Sequence, residues 1–386
     1  MAVRERERPP ASWATWNAGA RYTLGVEDEV MLLDPTSWSL AQDADRVLAA
    51  LPADLGSRTH PETHAGVVEL VTGAHHRLGP LVAEIRELRA RLALRLERLG
   101  LAAAGAGTHP AVDVDQTDVS SAPRYRLLQD TMRSLARRDP TLALHVHIGV
   151  PDPQDAVTLL NEVRQVAPVL IALSANSPYS RGRDSGFASV RRALFQAFPR
   201  TGTPRHFEGY GDYVRAVESL VAPGAVPDPS FLWWDIRLQP RFGTVELRMM
   251  DSQSRLDDIA ALVAFVQSFA RLVIEESYVG PGGGPEVVSE NAFLAARDGI
   301  DARLIDPRTE RLVPVRDLLG GLLARCLPHA AALGCATELD GVRRLAAENG
   351  ASRQRALHVG EGGFEDLLAS LAQEFAPTGV PVAAST

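Results

Sequence analysis

The stretch Tyr22-Thr-Leu-Gly-Val-Glu-Asp-Glu-Val-Met-Leu-Leu-Asp-Pro35 constrains the chain more than any other, because it places carboxylates on extended backbone. It is rich in apolar and β-branched residues, is too short for a typical helix and closes at Asp34-Pro35, so it reads as a strand. Alternation sets Gly25, Glu27, Glu29 and Met31 on one face and Leu24, Val26, Val30 and Leu32 on the other. Two carboxylates side by side repel. Such a pair is destabilising unless positive charge sits over it.

Three further stretches repeat the asymmetry. Glu62 to Thr72 ends in a strand in which Val67, Glu69 and Val71 share a face. Leu142 to Val150 sets Leu144, Val146 and Ile148 against His145, His147 and Gly149, and two imidazoles on one face leave ligand and structural roles equally open. Phe231 to Asp251 reads as a β-hairpin turning at Gln239–Gly243, with Thr244, Glu246 and Arg248 on one face of its second arm and Val245, Leu247 and Met249 on the other. An Arg beside a Glu there fits a surface ion pair as well as a functional pair. The spacing predicts helices over Asp43–Leu51, Leu78–Gly100, Asp155–Ala175 and Arg255–Tyr278, and more helices from there to about residue 376. The charges of Leu78–Gly100 are expected to be solvated. Leu101–Gly107 reads as a short strand. Asn176 to Gly202, carrying Arg181, Arg183, Arg191 and Arg192, reads as a flexible, functional loop. Residues 1–20 are expected to form a disordered lead-in and 377–386 a frayed tail, with 21–376 as a single domain. These elements define an α+β fold: a largely antiparallel sheet with an open acidic face and helices packed behind it.

Several chemistries are excluded by what is missing. The chain of 386 residues contains no lysine, every basic side chain other than histidine being arginine. Schiff-base catalysis, a P-loop lysine and the kinase strand lysine therefore fall away together. No basic cluster interleaved with aromatics suggests nucleic acid, and no apolar run or signal-peptide core suggests a membrane, so a cytoplasmic protein is expected. Cys326 and Cys335 lack metal-site spacing and read as buried free thiols. Glutamates gathered on one face call for divalent cations; Mg²⁺ suits carboxylates plus phosphate oxygens, and a histidine among them would also admit Mn²⁺.

Seven collinear motifs carry a resemblance. Leu24-Gly-Val-Glu-Asp-Glu, Gly107-Thr-His-Pro, His145-Val-His-Ile-Gly-Val, Ser174-Ala-Asn-Ser-Pro, Gly182-Arg-Asp-Ser-Gly-Phe-Ala-Ser, Trp234-Asp-Ile-Arg and Phe242-Gly-Thr-Val-Glu-Leu-Arg resemble the bacterial carboxylate–amine ligases of the glutamate–cysteine ligase type 2 family, in order from about residue 20 to 375. The resemblance implies a fold like the catalytic domain of glutamine synthetase and ATP-dependent γ-glutamyl ligation through an acyl phosphate. It implies that Glu27, Glu29, Glu62, Glu69, His147 and Glu246 hold Mg²⁺ ions and that Arg248 stabilises the transferring phosphoryl group or the substrate carboxylate, with Arg191 a second catalytic candidate. Arg124, Tyr125 and Trp234 become candidates for cofactor and substrate contacts. The substrates implied are a small carboxylate, glutamate by family, and an amine or amino-acid acceptor, on a homodimer or larger assembly. A phosphagen-kinase-like phosphotransferase and a non-catalytic relative are the rival readings. Departures from the family pattern are Val30, where an aromatic is common, and Ala292, Phe293 and Asp298, where Arg, Trp and Tyr are usual.

Overall fold

The computed structural model of the protein describes residues 11–358 and 363–376. Seven strands form one sheet: β1 (Leu24–Leu33), β2 (Thr59–Pro61), β3 (Val67–Val71), β4 (Ala102–Ala104), β5 (Ala143–Gly149), β6 (Ile236–Gln239) and β7 (Thr244–Asp251). Their order is β6-β7-β5-β1-β3-β2, with β4 pairing the far end of β1, and every pairing is antiparallel. The four asymmetric stretches are therefore consecutive strands. Register places Glu27 opposite His145, Glu29 opposite Glu69, His147 opposite Glu246, and Glu246 opposite Arg237. Because side chains alternate, all of these share the front face.

The rear face is the core. Leu24, Val26, Leu144, Val146, Ile148, Val245 and Leu247 are buried against helices α1 (Leu78–Arg98), α3 (Pro153–Ser174) and α5 (Leu256–Glu276). Each such side chain contributes about 1.5–3 kcal/mol by leaving water. Asp152 caps α3 by accepting hydrogen bonds from the amides of Gln154 and Asp155, with Pro153 at the first helical position. This helix is long and apolar enough to cross a bilayer, but 78% of its apolar window is buried inside the protein. It is a core helix.

The structure corrects four expectations. The charges of α1 are not all solvated: Arg89 is buried, and its Nε meets Asp28 Oδ2 at 2.8 Å while its two terminal nitrogens reach the carbonyls of Gln253 and Ser254. Asp28 lies between Glu27 and Glu29 but faces rearward, so a guanidinium must come to it through the core. The segment 176–202 is built rather than loose: Tyr179–Asp184 pairs as a small hairpin, and Val190–Phe195 forms a helix, here α4, whose Arg191 and Arg192 are buried. Residues 11–20 are tied down, with Trp13 Nε1 donating to Glu218 and Trp16 Nε1 to the carbonyl of Val150; residues 1–10 and the tail 377–386 lie outside the described residues. A hairpin, Arg303–Asp306 with Arg311–Pro314, interrupts the region expected to be all helical. Its strands are only four residues each, too short to show alternation. Cys326 and Cys335 are free and buried, as expected.

The acidic front is roofed rather than bare. Helix α2 (Pro123–Met132), begun by Pro123, lies over it from one side and α4 from the other.

Candidate active site

Sheet and roof enclose a cavity. Its floor is Glu27, Glu29, Glu69 and His145; one side carries Arg237 and Arg248 from β6 and β7, and the other carries Glu62 and Asp139. Tyr125 and Leu128 of α2 and Arg191 and Phe195 of α4 close it, with Arg124, Phe198, Ser230 and Trp233 at its margin.

Glu27 is held by both histidines. Its Oε2 lies 2.8 Å from His145 Nδ1 and its Oε1 3.2 Å from His147 Nε2, while His147 Nδ1 meets the Thr244 hydroxyl at 3.0 Å. Burial pushes Glu27 up, but the hydrogen bonds from the imidazoles outweigh it and hold the carboxyl well below its ordinary range. The same contact raises His147 despite its burial, whereas burial and the charge of Arg248 drive His145 down to about 4. His145 is thus neutral near pH 7, with its Nε2 turned toward Glu29 at 3.7 Å.

The neighbouring carboxylates have no such relief. Glu29 accepts one hydrogen bond, from the Ala143 amide at 2.6 Å, and burial with the charge of Glu62 raises it to about 8. Glu69 receives no hydrogen bond among the described residues, and burial together with Glu27, Glu62 and Glu29 pushes it well above its usual value. One donor atom each from Glu29, Glu69 and His145 lies within 4.8 Å of the other two, and the same holds for Glu27, His145 and Glu246. Oxygen-rich groups with one neutral imidazole fit Mg²⁺ or Mn²⁺. Glu29, buried, and Glu69, half-buried, are under-partnered carboxylates of the kind a divalent cation would stabilise.

Arginine neutralises the opposite wall. Glu246 is completely buried; Arg237 grips it in a fork, Nε at 2.9 Å and Nη2 at 3.1 Å, Gln239 donates at 2.6 Å, and Arg248 Nη1 completes the set. Against burial, the two guanidiniums hold Glu246 far below its normal range, and Glu246 with Glu27 raises Arg248. Tyr125 donates its hydroxyl to Pro61 O at 2.8 Å and to Glu62 at 3.1 Å, and burial beside Glu62 raises the phenol strongly.

The residues expected from sequence are sorted by this geometry. Glu27, Glu29, Glu62, Glu69, Arg124, Tyr125, Arg191 and Arg248 line one cavity, and Glu246 lies directly behind Arg248. Glu62 and His147 fall outside both close donor groups; His145, on the same strand face as His147, is the vertex the two groups share. Trp234 is not in the cavity: it packs on Phe207 and Tyr213, with ring centroids 6.0 and 6.1 Å away. Extended backbone turns adjacent side chains to opposite sides, so Trp233 takes the inner position. Arg237 was recoverable from the hairpin register, whereas nothing local to Asp139, Phe195 or Phe198 marks them as cavity residues. The departures Ala292, Phe293 and Asp298 lie on a helix, Pro285–Asp298, that does not line the cavity.

A roofed acidic basin flanked by arginines on an antiparallel sheet suits divalent cations beside an anionic substrate, the combination an ATP-dependent carboxylate–amine ligase requires. Comparison with known proteins agrees. The profile of the glutamate–cysteine ligase family 2 matches residues 23–370. A protein of Rubrobacter xylanophilus provisionally named glutamate–cysteine ligase 2-1 is 36% identical over 370 residues, covering 95% of this chain and 98% of its own. A provisionally named glutamate–cysteine ligase 2 of Thermobifida fusca is 35% identical over 380 residues, covering 96% and 95%. Among solved structures, a glutamate–cysteine ligase from Francisella tularensis in complex with AMP superposes with a TM-score of 0.70 at 11% identity, covering 95% of this chain and 92% of that one. A bifunctional glutathione synthetase from Pasteurella multocida gives 0.68 at 14% identity, over 92% of this chain and 52% of that one. The chain belongs to the glutamate–cysteine ligase family 2.

Proposed function

We propose that this protein joins the side-chain carboxylate of glutamate to an amine, using ATP and Mg²⁺ or Mn²⁺. The observation that carries the reading is the convergence of Glu27, Glu29, Glu69, His145 and Arg248 on one enclosed cavity. A carboxylate cannot expel oxide at neutral pH. Transfer of the γ-phosphoryl group to a carboxylate oxygen, with ADP leaving, supplies the missing leaving group; the amine nitrogen then forms the C–N bond as phosphate departs and a proton is lost. Divalent cations held by Glu27, Glu29, Glu69 and His145 would neutralise charge between the two anions that the first step brings together. Glu246 holds Arg248 at the cavity wall, where its guanidinium meets developing negative charge. The α2 and α4 roof limits water access, which protects an acyl phosphate from hydrolysis. The glutamates serve as ligands; none is assigned as a nucleophile.

Glu27→Gln should abolish Mg²⁺-dependent ADP release with carboxylate and amine pairs while leaving the thermal melt cooperative. Retained turnover would remove the cation assignment. Mass analysis of the product separates amide formation from phosphotransfer to a guanidine.

A further inference from the structure

The two faces of the cavity differ in chemistry. Its floor carries carboxylates and His145, whereas its roof is largely apolar and aromatic. On α2, Tyr125 and Leu128 lie three residues apart and share the face turned to the cavity; on α4, Arg191 and Phe195, four apart, do the same. Phe198 follows, its ring centroid 5.8 Å from that of Phe195 and 6.3 Å from that of Trp233, so three rings run along one margin. Glutamate, phosphate and divalent cations have no apolar surface to bury against such a wall. Rings kept at a cavity edge suit a ligand with an apolar body.

The charged groups beside the rings indicate what else that ligand carries. Arg237 is consumed by Glu246 and the carbonyls of Ser230 and Leu232, and Arg124 is turned to the rim, where it donates to the Ser230 hydroxyl at 2.7 Å. Arg191 and Arg248 stand together at β7, Nη2 of the first 3.3 Å from the carbonyl of the second, and on the ligase reading they face the anions that phosphoryl transfer joins. Under α2 the charge is negative. Asp139 is paired with Arg181, but Glu62 accepts from the hydroxyls of Thr63 and Tyr125 and has no basic side chain within salt-bridge reach among the described residues. Glu62 also lies outside both close donor groups of the floor. Helix α2 joins this acid to the aromatic margin, since Tyr125 reaches Glu62 while the adjacent Arg124 reaches Ser230. An ammonium would pair with Glu62, and a carboxylate in the same place would be repelled.

Resting on the ligase reading above, we infer that the acceptor is a primary amine with an aromatic or similarly bulky apolar body and no carboxylate. Its nitrogen is held at Glu62 and its body lies against Phe195, Phe198 and Trp233. An amino-acid acceptor would bring one further group, its carboxylate, to the side of the cavity that offers an acid and rings.

The test follows ADP release, and the mass of the amide formed, with L-glutamate as donor at saturating ATP and Mg²⁺. The acceptors compared are 2-phenylethylamine, ethylamine, L-phenylalanine and L-cysteine. In the wild-type protein, kcat/KM for 2-phenylethylamine should exceed that for ethylamine, which lacks the ring, by roughly a hundredfold. It should exceed that for L-phenylalanine, which adds the carboxylate, by about tenfold or more. Phe198→Ala should shrink the first ratio to about tenfold or less, and Phe195→Leu, which keeps apolar bulk, should lower it less. A preference for L-cysteine or L-phenylalanine over 2-phenylethylamine would overturn the inference. So would an unchanged ratio in Phe198→Ala, and a rise in the KM for ATP in that variant would give the rings to the nucleotide base instead. No ADP release with any of these pairs would reject the ligase reading as well, a result distinct from a reversed order of acceptors.

Discussion

Glu29 offers a sharp test of the basin, because its carboxyl is raised to about 8 by burial and by Glu62. At pH 7 only about one Glu29 side chain in ten is ionised in the cation-free protein. A divalent cation binds the carboxylate, so uptake must displace close to one proton from Glu29, plus a contribution from Glu69, which burial and three neighbouring carboxylates also raise. Apparent Mg²⁺ affinity should therefore climb about tenfold per pH unit per displaced proton between about pH 6 and 8, then level off. Isothermal titration with Mn²⁺ or Mg²⁺ in two buffers of different ionisation enthalpy counts those protons directly. Glu29→Gln should bind more weakly and release about one proton fewer. Stability has the opposite sign. A carboxyl raised in the folded state favours folding most below its unfolded value, and that advantage is lost as pH rises through about 8. Without cations, Glu29→Gln should thus melt higher than wild type at about pH 9, and added Mg²⁺ should reverse the order. Affinity independent of pH across this range, with no proton release, would refute the account of the floor.

Two further outcomes test the corrections. Arg89→Met strands Asp28 in the core and should cost about 3–5 kcal/mol by denaturant unfolding, with Asp28→Asn recovering part of the loss in the same background. Trp233→Ala should alter substrate or nucleotide KM because Trp233 borders the cavity, whereas Trp234→Phe, in the cluster with Phe207 and Tyr213, should lower the melting temperature and leave KM within about twofold.

The sheet was legible because period-two alternation reports faces directly: four strands read as apolar on one side and charged on the other are adjacent in the structure, in a register that pairs Glu27 with His145 and Glu29 with Glu69. The roof was not legible. Tyr125 and Arg191 stood out by motif and composition, but which cavity wall a short helix covers depends on distant partners, such as Asp235 for Arg192, and no local pattern encodes that. Arg89 escaped for the same reason. Its helix shows an ordinary amphipathic stripe, and only the rearward direction of Asp28 on β1 demands a buried guanidinium beneath it. His145 and His147 look alike in sequence; their separate roles come from Glu246 lying opposite His147 and Glu29 lying within reach of His145.

The treatment of buried acids elsewhere in the chain gives the floor its meaning. Asp28 has Arg89, Asp235 has Arg192, Asp139 has Arg181, Asp258 has both Arg344 and Arg353, and Glu246 has Arg237 and Arg248. Asp251, at the longer distance from Arg191, is satisfied instead by two serine hydroxyls and an amide. A chain with forty basic residues, all arginine, thus supplies a guanidinium or a full hydrogen-bond shell to each of these buried carboxylates. Glu29 and Glu69 face each other across β1 and β3, and the one hydrogen bond the two carboxylates receive comes to Glu29 from the Ala143 amide of β5. Leaving two carboxylates so exposed to mutual repulsion opposes folding, and a neutral side chain at either position would relieve it. On the proposed reading a divalent cation would supply the compensating positive charge, and the stability of the floor would then depend on the occupancy of the site as well as on the protein.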